Sequence, residues 1–261
     1  MRIIVCAKHV ADSTEIRFDE QTNQVLLEGA PTKISDYDRN ALEAAVQLRE
    51  QNEGVSVEVL MVGGSEAQKA LKEAIAMGAD KGYLIEGGWD RFYDPFLAAR
   101  VLTRAIEDIG PVDLVLVGLY SEDGYNGLAG AALAELLDTP FLAPVTSLAL
   151  AEDTLEAELS LPGVRVTASS PFPCVAGIDS TANVPRLPTV LQVMKVKSSR
   201  IQTLSLQDLG LTQTVQQKAN GVRLDEYASG AVKRKAVVIE GDPESAAGRL
   251  VGELVQEGVL Q

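Results

Sequence analysis

The 261-residue chain contains 37 acidic and 23 basic side chains, which gives it a formal net charge of −14. An acidic surface cannot gain binding free energy by releasing counterions from a nucleic-acid backbone, so this charge argues against DNA or RNA as a partner. The content of 46% hydrophobic and 23% charged residues is typical of a globular protein with a substantial core.

Hydropathy and cysteine usage narrow the class further. No window reaches the roughly 18 to 20 apolar residues that a transmembrane helix needs, so no transmembrane segment is predicted. The cysteines are Cys6 and Cys174, and each lies in an apolar run. This usage predicts a reducing, cytoplasmic location and indicates neither a disulfide framework nor a cysteine-rich zinc site.

Short apolar runs alternate with amphipathic segments through the first 140 residues. The runs are rich in Val, Ile and Leu, as in strands buried on both faces, and the segments have apolar residues at helical spacing. The order predicts a Rossmann-like α/β fold, a parallel sheet with helices on both faces. The predicted strands are 2–7, 55–62, 82–86 and 114–117, and the predicted helices are 36–50, 66–77, 95–109 and one from 129 onward.

Polar residues mark the boundaries of these elements. Lys8 and His9 begin a predicted polar loop after the first strand. Ser35 or Asp36 is predicted to cap the first helix, and Ser65 the second, because short polar side chains accept hydrogen bonds from the first helical N–H groups.

The pattern changes after residue 140, where strand-like segments follow one another with no long helix between them. This predicts an antiparallel extension of the sheet. The segments are 142–150, 155–159, 164–169 and 173–178.

A polar run that begins at residue 212 predicts the end of the α/β domain. We expect a nucleotide-binding domain over 1–211, a linker over 212–234 and a C-terminal arm over 235–261. The arm is predicted to contain a strand at 235–240 and a helix at 243–256. An arm with so little core of its own either docks on another protein or folds back on its own domain.

The side chains suited to catalysis are few. His9 is the only histidine, and no HExxH, CxxC, GxxxxGK[ST] or GxGxxG pattern occurs, so no metal site and no phosphoryl-transfer loop is predicted. Glu122 and Asp123 are adjacent in a loop, where neighbouring side chains point apart. They are therefore interpreted as a solvated pair or a helix cap rather than an acid/base pair.

The loops that follow the predicted strands offer a different kind of site. Loops 6–9, 35–38, 62–64 and 118–129 would lie along one edge of a parallel sheet. They supply small residues and backbone N–H groups but few catalytic side chains, which fits a nucleotide that is bound without being turned over. The alternative is that each is an ordinary glycine-rich turn.

Several segments carry a resemblance to the beta subunit of electron-transfer flavoproteins, over nearly the whole chain. They are IIVCAKHVADSTEIRFD, KISDYDRNALEAAVQLRE, AIAMGADKGY, DLVLVGLYSEDG, NVPRLPTVLQVMKVK and IQTLSLQDLGL. The resemblance implies a heterodimer with an alpha subunit. The redox-active FAD would be held mainly by that alpha subunit. The resemblance implies that this chain buries an AMP, or in bifurcating members a second FAD. It implies an electron carrier rather than an enzyme, with a C-terminal arm that wraps around the alpha subunit.

The resemblance also implies roles for individual residues. Ser13 and Glu158 would lie near the flavin of the alpha subunit, while Val190, Lys195 and Lys197, within a recognition loop over 188–197, would contact a donor dehydrogenase of the acyl-CoA type. Electrons would pass to an acceptor such as a quinone oxidoreductase or a ferredoxin. The nucleotide contacts would fall on Cys6, Ser35, Asp36, Tyr37, Asp38, Val62, Gly118, Leu119, Tyr120, Ser121, Glu122, Asp123, Gly124, Tyr125, Asn126, Gly127, Leu128 and Ala129.

The chain departs from the family pattern inside the nucleotide loop. Gly127, Leu128 and Ala129 stand where many members have polar side chains, and Asp36 and Tyr37 replace Pro-Phe. These departures leave open whether AMP or FAD is bound. A stand-alone ATP- or AMP-binding α/β protein is the alternative, although the loop SEDGYNGLAG matches the phosphate-binding patterns of that class poorly.

Overall fold

The computed structural model of the protein describes residues 1–19, 22, 24–27, 29–87, 94–216 and 236–260. The described residues fall into two compact units, which lie within 1–227 and 228–261. Each unit is described by itself below.

The first unit alternates strands and helices in the predicted way up to residue 136. Its elements are β1 (Arg2–Ala11), β2 (Arg17–Phe18), β3 (Val25–Leu26), β4 (Thr32–Ile34), α1 (Asp36–Gln51), β5 (Ser56–Gly63), α2 (Ala67–Met77), β6 (Lys81–Glu86), α3 (Pro95–Ile109), β7 (Leu114–Gly118) and α4 (Ala129–Leu136). The elements after them are β8 (Phe141–Ala151), β9 (Thr154–Leu161), β10 (Val164–Pro171), β11 (Cys174–Ile178), α5 (Val190–Met194), β12 (Ile201–Ser205) and α6 (Thr212–Gln216).

The main sheet has the strand order β10-β9-β8-β11-β7-β1-β5-β6-β12. Every pairing from β8 to β12 along this path is parallel. The chain leaves β1 on one side for β5 and β6 and returns on the other side as β7, so the order reverses between β1 and β7. Open parallel sheets bind ligands at such a switch point, outside the carboxyl ends of the strands.

Helices cover both faces of the sheet, as predicted. Successive side chains of β1 point to opposite faces, with Ile3 and Val5 in one core and Ile4 and Cys6 in the other. Helices α1 and α2 contribute buried residues to the first core, and α3, α4 and α6 to the second. Because both faces are covered, the central strands are continuous apolar runs.

The antiparallel extension is smaller than predicted. Strands β9 and β10 pair antiparallel, and β9 pairs antiparallel with the second half of β8. Strands β8 and β11 instead join the main sheet in parallel. The sequence lacks a long helix between these segments because the β9–β10 hairpin lies between β8 and β11 in the chain.

Two predicted boundaries are wrong. Strand β1 does not end at Ala7, because residues 9–11 pair antiparallel with β4, and this places Lys8 and a buried His9 inside the strand. Ser65 does not cap α2, since Glu66 occupies the N-cap position and makes no side-chain capping bond. Ser35 is the N-cap residue of α1, but its hydroxyl makes no capping bond either.

Residues 212–216, assigned to the linker by the sequence, form helix α6. Val215 in this helix is buried against the core that contains α3 and α4. The rest of the predicted linker, 217–234, lies outside the described residues.

The second unit contains helix α7 (Pro243–Gln256), whose bounds match the prediction. The Asp242 carboxylate caps it by accepting hydrogen bonds from the N–H groups of Glu244 and Ser245. Residues 236–240 have no regular structure, so the predicted strand there is wrong over its described part. Leu250, Val251 and Val255 of α7 are exposed.

Two features are absent from the described residues. None of the described helices combines the length and the apolar character that crossing a bilayer requires. The described ranges also contain no cluster of three or more His, Cys, Asp or Glu side chains suited to a metal ion.

A substitution in α6 tests whether residue 215 belongs to the folded domain. Val215 is 6% exposed. We expect Val215→Ala to lower the free energy of unfolding of the domain by about 1–3 kcal/mol, because two buried methyl groups are lost. Urea denaturation would measure this, with the exposed neighbour substitution Gln213→Ala as the control. If both substitutions leave the free energy of unfolding unchanged, residues 212–216 belong to the linker and not to the folded domain.

Candidate functional site

A cavity opens at the switch point, outside the carboxyl ends of β1, β5 and β7. Its volume of about 950 Å³ includes the space at its mouth. All four of the loops singled out in the sequence contribute to it. Its wall consists of Cys6, Ala7, Lys8, His9, Asp38, Val62, Pro95, Ala98, Leu102, Val117, Gly118, Leu119, Tyr120, Ser121, Asn126, Gly127, Ala129, Gly130 and Leu133.

The Asp38 carboxylate ties together the two strands at the centre of this cavity. One oxygen accepts a hydrogen bond from the N–H of Lys8 at 2.7 Å, and the other accepts one from the N–H of Gly118 at 3.0 Å. Lys8 lies in β1 and Gly118 ends β7. A side chain from the first turn of α1 therefore fixes the separation of these strands where the strand order reverses.

Gly118 is required by the closeness of this contact. A Cβ atom at position 118 would lie 2.5 Å from Asp38 Oδ1 and 2.8 Å from Tyr37 Cβ. Side chains larger than hydrogen would therefore push the start of α1 away from β7. Because position 118 has no side chain, a ligand in the cavity can approach the backbone there.

Burial changes the protonation of Asp38. Desolvation raises the pKa of its carboxyl to about 7, and the repulsion by Asp123 raises it as well, while the two backbone hydrogen bonds and Lys8 act in the opposite direction. The neutral form is therefore populated near neutral pH.

The acidic residues of the nucleotide loop, 118–129, are held in ion pairs. The Lys8 ammonium lies 2.7 Å from Asp123, whose side chain is 9% exposed. Glu122 lies 3.2 Å from Lys33 and accepts a hydrogen bond from the Ser13 hydroxyl at 3.0 Å. The interpretation of this acidic pair as solvated or as a helix cap is therefore wrong, because cations from two neighbouring segments reach it.

Three tyrosines pack at one side of this loop. The rings of Tyr120 and Tyr125 stack with centroids 4.5 Å apart, and Tyr37 meets each of them edge-on. The hydroxyls of Tyr37 and Tyr125 are 2.9 Å apart and share a hydrogen bond. Tyr37 thus connects the start of α1 to the loop.

The backbone conformation and the nearby Tyr120 ring both require glycine at position 127. Its φ of +64° lies in the left-handed region, and a Cβ atom there would lie 2.9 Å from the Tyr120 ring. The chain can pass over this ring only without a side chain. Asn126 then accepts a hydrogen bond from the N–H of Leu128 at 3.0 Å and leads into α4.

The structure brings ten of the predicted nucleotide-contact residues to the cavity wall. They are Cys6, Asp38, Val62, Gly118, Leu119, Tyr120, Ser121, Asn126, Gly127 and Ala129. Ser35, Asp36, Tyr37, Glu122, Asp123, Gly124, Tyr125 and Leu128 lie outside the lining and support its loops or face away from it.

Part of the wall was missed by sequence reasoning. Pro95, Ala98 and Leu102 come from the first half of α3, and Leu133 comes from α4. The order of elements contains a signal for the residues of α3: this helix follows β6 and therefore starts at the edge of the sheet where the cavity lies. Helical spacing of apolar residues does not distinguish a residue of the core from a residue of a cavity wall.

The predicted flavin-facing residues lie away from the cavity wall. Ser13 is exposed and bonded to the nucleotide loop through Glu122. Glu158 is an exposed residue of β9, in the antiparallel extension.

The predicted recognition loop contains the short helix α5. Thr189 caps it, and Gln192 completes a capping box. Val190 is 75% exposed, and Lys195 and Lys197 are exposed beside it. Leu187, Leu191 and Met194 extend an apolar surface around Val190. We call this surface, residues 187–197, the docking segment.

Comparison with known proteins agrees with this architecture. A family model for the electron transfer flavoprotein domain matches residues 22–209. The electron transfer flavoprotein subunit beta of Bacillus subtilis is 31% identical over 98% of each chain. The chain belongs to the electron transfer flavoprotein beta-subunit family.

Two further relatives are similar over most of the chain. Subunit CarD of the caffeyl-CoA reductase–Etf complex of Acetobacterium woodii is 29% identical over the full length of both chains. Protein FixA of Bradyrhizobium diazoefficiens is 30% identical over 81% of this chain and 75% of its own. The beta subunits of electron transfer flavoproteins pair with an alpha subunit and pass electrons onward, and membership places this chain in an electron-transfer role.

Asp38 provides a test of the tie between the strands. We expect Asp38→Asn to lower the free energy of unfolding by about 1–3 kcal/mol, because the amide group cannot accept both backbone hydrogen bonds. The raised pKa of Asp38 adds stability that is full below pH 4 and is lost as the pH rises through 7. The loss caused by Asp38→Asn should therefore be larger at pH 5.5 than at pH 8.

Urea denaturation at the two pH values would measure this difference, with the exposed substitution Asp108→Asn as the control. A larger loss at pH 8 would contradict the raised pKa.

Proposed function

We propose that this chain is the beta subunit of a heterodimeric electron carrier and that its switch-point cavity holds a nucleotide, AMP, as a bound structural group. The observation that carries the proposal is the convergence of four strand-end loops, rich in small residues and backbone N–H groups, on one cavity.

The cavity offers separate surfaces for the two ends of a nucleotide. Val62, Ala98, Leu102 and Leu133 supply apolar contacts suited to a planar base. Helix α4, which also carries Leu133, begins with Ala129 and Gly130, whose N–H groups have no partner within the helix and favour an anionic phosphate. The Lys8 ammonium, which is paired with Asp123, also lies in the cavity wall.

The titratable side chains of the wall are suited to binding rather than bond chemistry. Burial raises the pKa of the Cys6 thiol far above neutrality, which suppresses the nucleophilic thiolate. Burial also lowers the pKa of His9, which keeps its imidazole neutral. A nucleotide that stays bound fits these properties.

The redox group of the carrier would be FAD, held mainly by the alpha subunit. Ser13 and Glu158 are proposed to face that flavin, and the exposed apolar residues of α7 to dock on the alpha subunit. When bound, FAD accepts and releases the electrons, while this chain contributes position and exclusion of water.

The docking segment is proposed to contact the donor, a dehydrogenase of the acyl-CoA type. It combines four exposed apolar side chains with two lysines in an otherwise acidic protein. Apolar anchors supply affinity, and charges at the rim favour approach of an acidic partner. Electrons would then leave to an acceptor such as a quinone oxidoreductase or a ferredoxin.

The bound groups can be identified directly. We expect the complex purified with its alpha subunit to be yellow from FAD, and acid extraction to release AMP in a one-to-one ratio with this chain. Chromatography of the extract measures both. Two FAD per heterodimer and no AMP would favour the FAD-carrying, bifurcating type. ATP hydrolysis by the isolated chain would overturn the assignment.

A charge introduced into the docking segment tests its role. We expect Val190→Asp to raise the apparent KM for a donor dehydrogenase about 10-fold or more and to leave flavin content unchanged, since a carboxylate would be desolvated at the contact. Leu136→Asp, at an exposed apolar position of α4, is the matched control. Loss of flavin from the Val190→Asp complex would mean that the segment is structural.

A further inference from the structure

Helix α5 is short and weakly packed: it contacts α2, and its Val193 is half-buried. It is five residues long, and none of them is buried. A single turn of helix is unstable in isolation because nucleation is costly. Contacts on either side of the helix in the chain therefore add to its contact with α2.

The contact on the upstream side is a clamp between Arg186 and α1. The Arg186 guanidinium donates to Glu43 at 2.8 and 3.0 Å and to Glu50 at 2.6 and 3.0 Å. The Arg186 N–H also donates to Glu43, at 3.1 Å. One side chain thus engages two carboxylates, each through two of its donors.

The Glu43 carboxylate that pairs with Arg186 is shielded from solvent. Its side chain is 5% exposed, and it accepts a further hydrogen bond from Gln47 at 2.9 Å. Burial raises the pKa of Glu43, but the hydrogen bonds from Arg186 outweigh it and the net pKa is lowered. A charged Glu43 left without Arg186 would be a buried, poorly compensated carboxylate.

A second pair of residues, Asn40 and Asn183, attaches the chain upstream of the docking segment to α1. The Asn40 side-chain amide donates to the carbonyl of Asn183 at 2.8 Å and to its side-chain oxygen at 3.0 Å. The Asn183 amide donates in return to the carbonyl of Asn40 at 3.0 Å. Residues 183 and 186 are thereby attached to successive turns of α1.

The downstream side is attached to a different element. The Arg200 guanidinium donates to the carbonyls of Ala79 and Asp80, at 2.6 and 3.0 Å, just beyond the end of α2. Val196 packs against the core on the α1/α2 face of the sheet. The docking segment therefore spans two fixed points.

We propose that Arg186, with Asn183, is a positioning residue that presents helix α5 to the donor dehydrogenase in its binding geometry. This inference rests on the proposed function of the docking segment. Arg186 acts through α1 and lies outside the cavity wall. Holding an exposed helix in its bound conformation removes the entropy that binding would otherwise cost.

The geometry requires arginine at this position. Glu43 and Glu50 are engaged by a planar fork with several donors at fixed angles, and a lysine ammonium cannot reproduce this arrangement. Arg186→Lys therefore keeps the charge but loses the clamp.

The test uses the full heterodimer with Arg186→Gln, Arg186→Lys and Glu50→Gln. The probe is an acyl-CoA dehydrogenase that reduces the wild-type complex. We expect both Arg186 variants to raise the apparent KM for the dehydrogenase by about 3- to 10-fold with kcat and flavin content unchanged. Glu50→Gln, which alters only the outer carboxylate, should give a smaller increase.

A second measurement does not depend on the donor. Trypsin cleaves after Lys195 and Lys197, and we expect the initial rate of cleavage there to rise in the Arg186 variants. Arg104→Gln is the matched control, because Arg104 is 47% exposed against 39% for Arg186 and also pairs with a glutamate and a backbone carbonyl. It should change neither KM nor cleavage.

The outcomes separate the two proposals. An unchanged KM in both Arg186 variants, together with a raised KM in Val190→Asp, would overturn the positioning role and leave the docking role in place. If no acyl-CoA dehydrogenase reduces the wild-type complex, the proposed donor class is wrong, and unchanged tryptic cleavage would overturn the clamp. If Arg186→Gln fails to fold, Arg186→Lys and Glu50→Gln decide the same question.

Discussion

A single buried carboxylate determines the geometry of the switch point. Asp38 accepts hydrogen bonds from β1 through Lys8 and from β7 through Gly118, at the place where the two strands begin to diverge. Parallel strands leave unpaired N–H groups at their ends, and a carboxylate can accept two of them at once. The small residue at position 118 and the close approach of α1 follow from this arrangement.

Helix α1 serves two surfaces with the same set of turns. Its first turn supplies Asp38 to the cavity, and its following turns supply Asn40, Glu43 and Glu50, which hold the chain just upstream of the docking segment. An α-helix is stiff over this length, with a rise of 1.5 Å per residue. The cavity and the docking segment are therefore held in a constant relation by one element.

The charges around the cavity are arranged so that an acidic protein can accept an anion. Asp123 is paired with Lys8 and Glu122 with Lys33, so the acidic residues of the loop present little net negative charge to the cavity. The tyrosines and Gly127 hold the same loop by packing rather than by charge. A nucleotide phosphate would meet backbone N–H groups and a lysine there, not free carboxylates.

The sequence by itself determined the elements and the edge on which the site lies. Helices α3 and α7 begin and end where capping residues and periodicity place them, at Pro95–Ile109 and Pro243–Gln256. The alternation of strands and helices determined the parallel sheet, and the parallel sheet brought the four loops to one edge. These properties are local or follow from topology, so neighbouring residues are sufficient to predict them.

The tertiary structure alone decided which side chains meet. Lys8 with Asp123, Asp38 with Gly118, and Arg186 with Glu43 are separated by 80 or more residues in the chain. The same applies to the extension of β1 through His9, which depends on pairing with β4, and to Val215, which is buried in the core that contains α3 and α4. A charge or an apolar residue in a sequence has no assigned partner, because the distance that selects the partner exists only once the chain is folded.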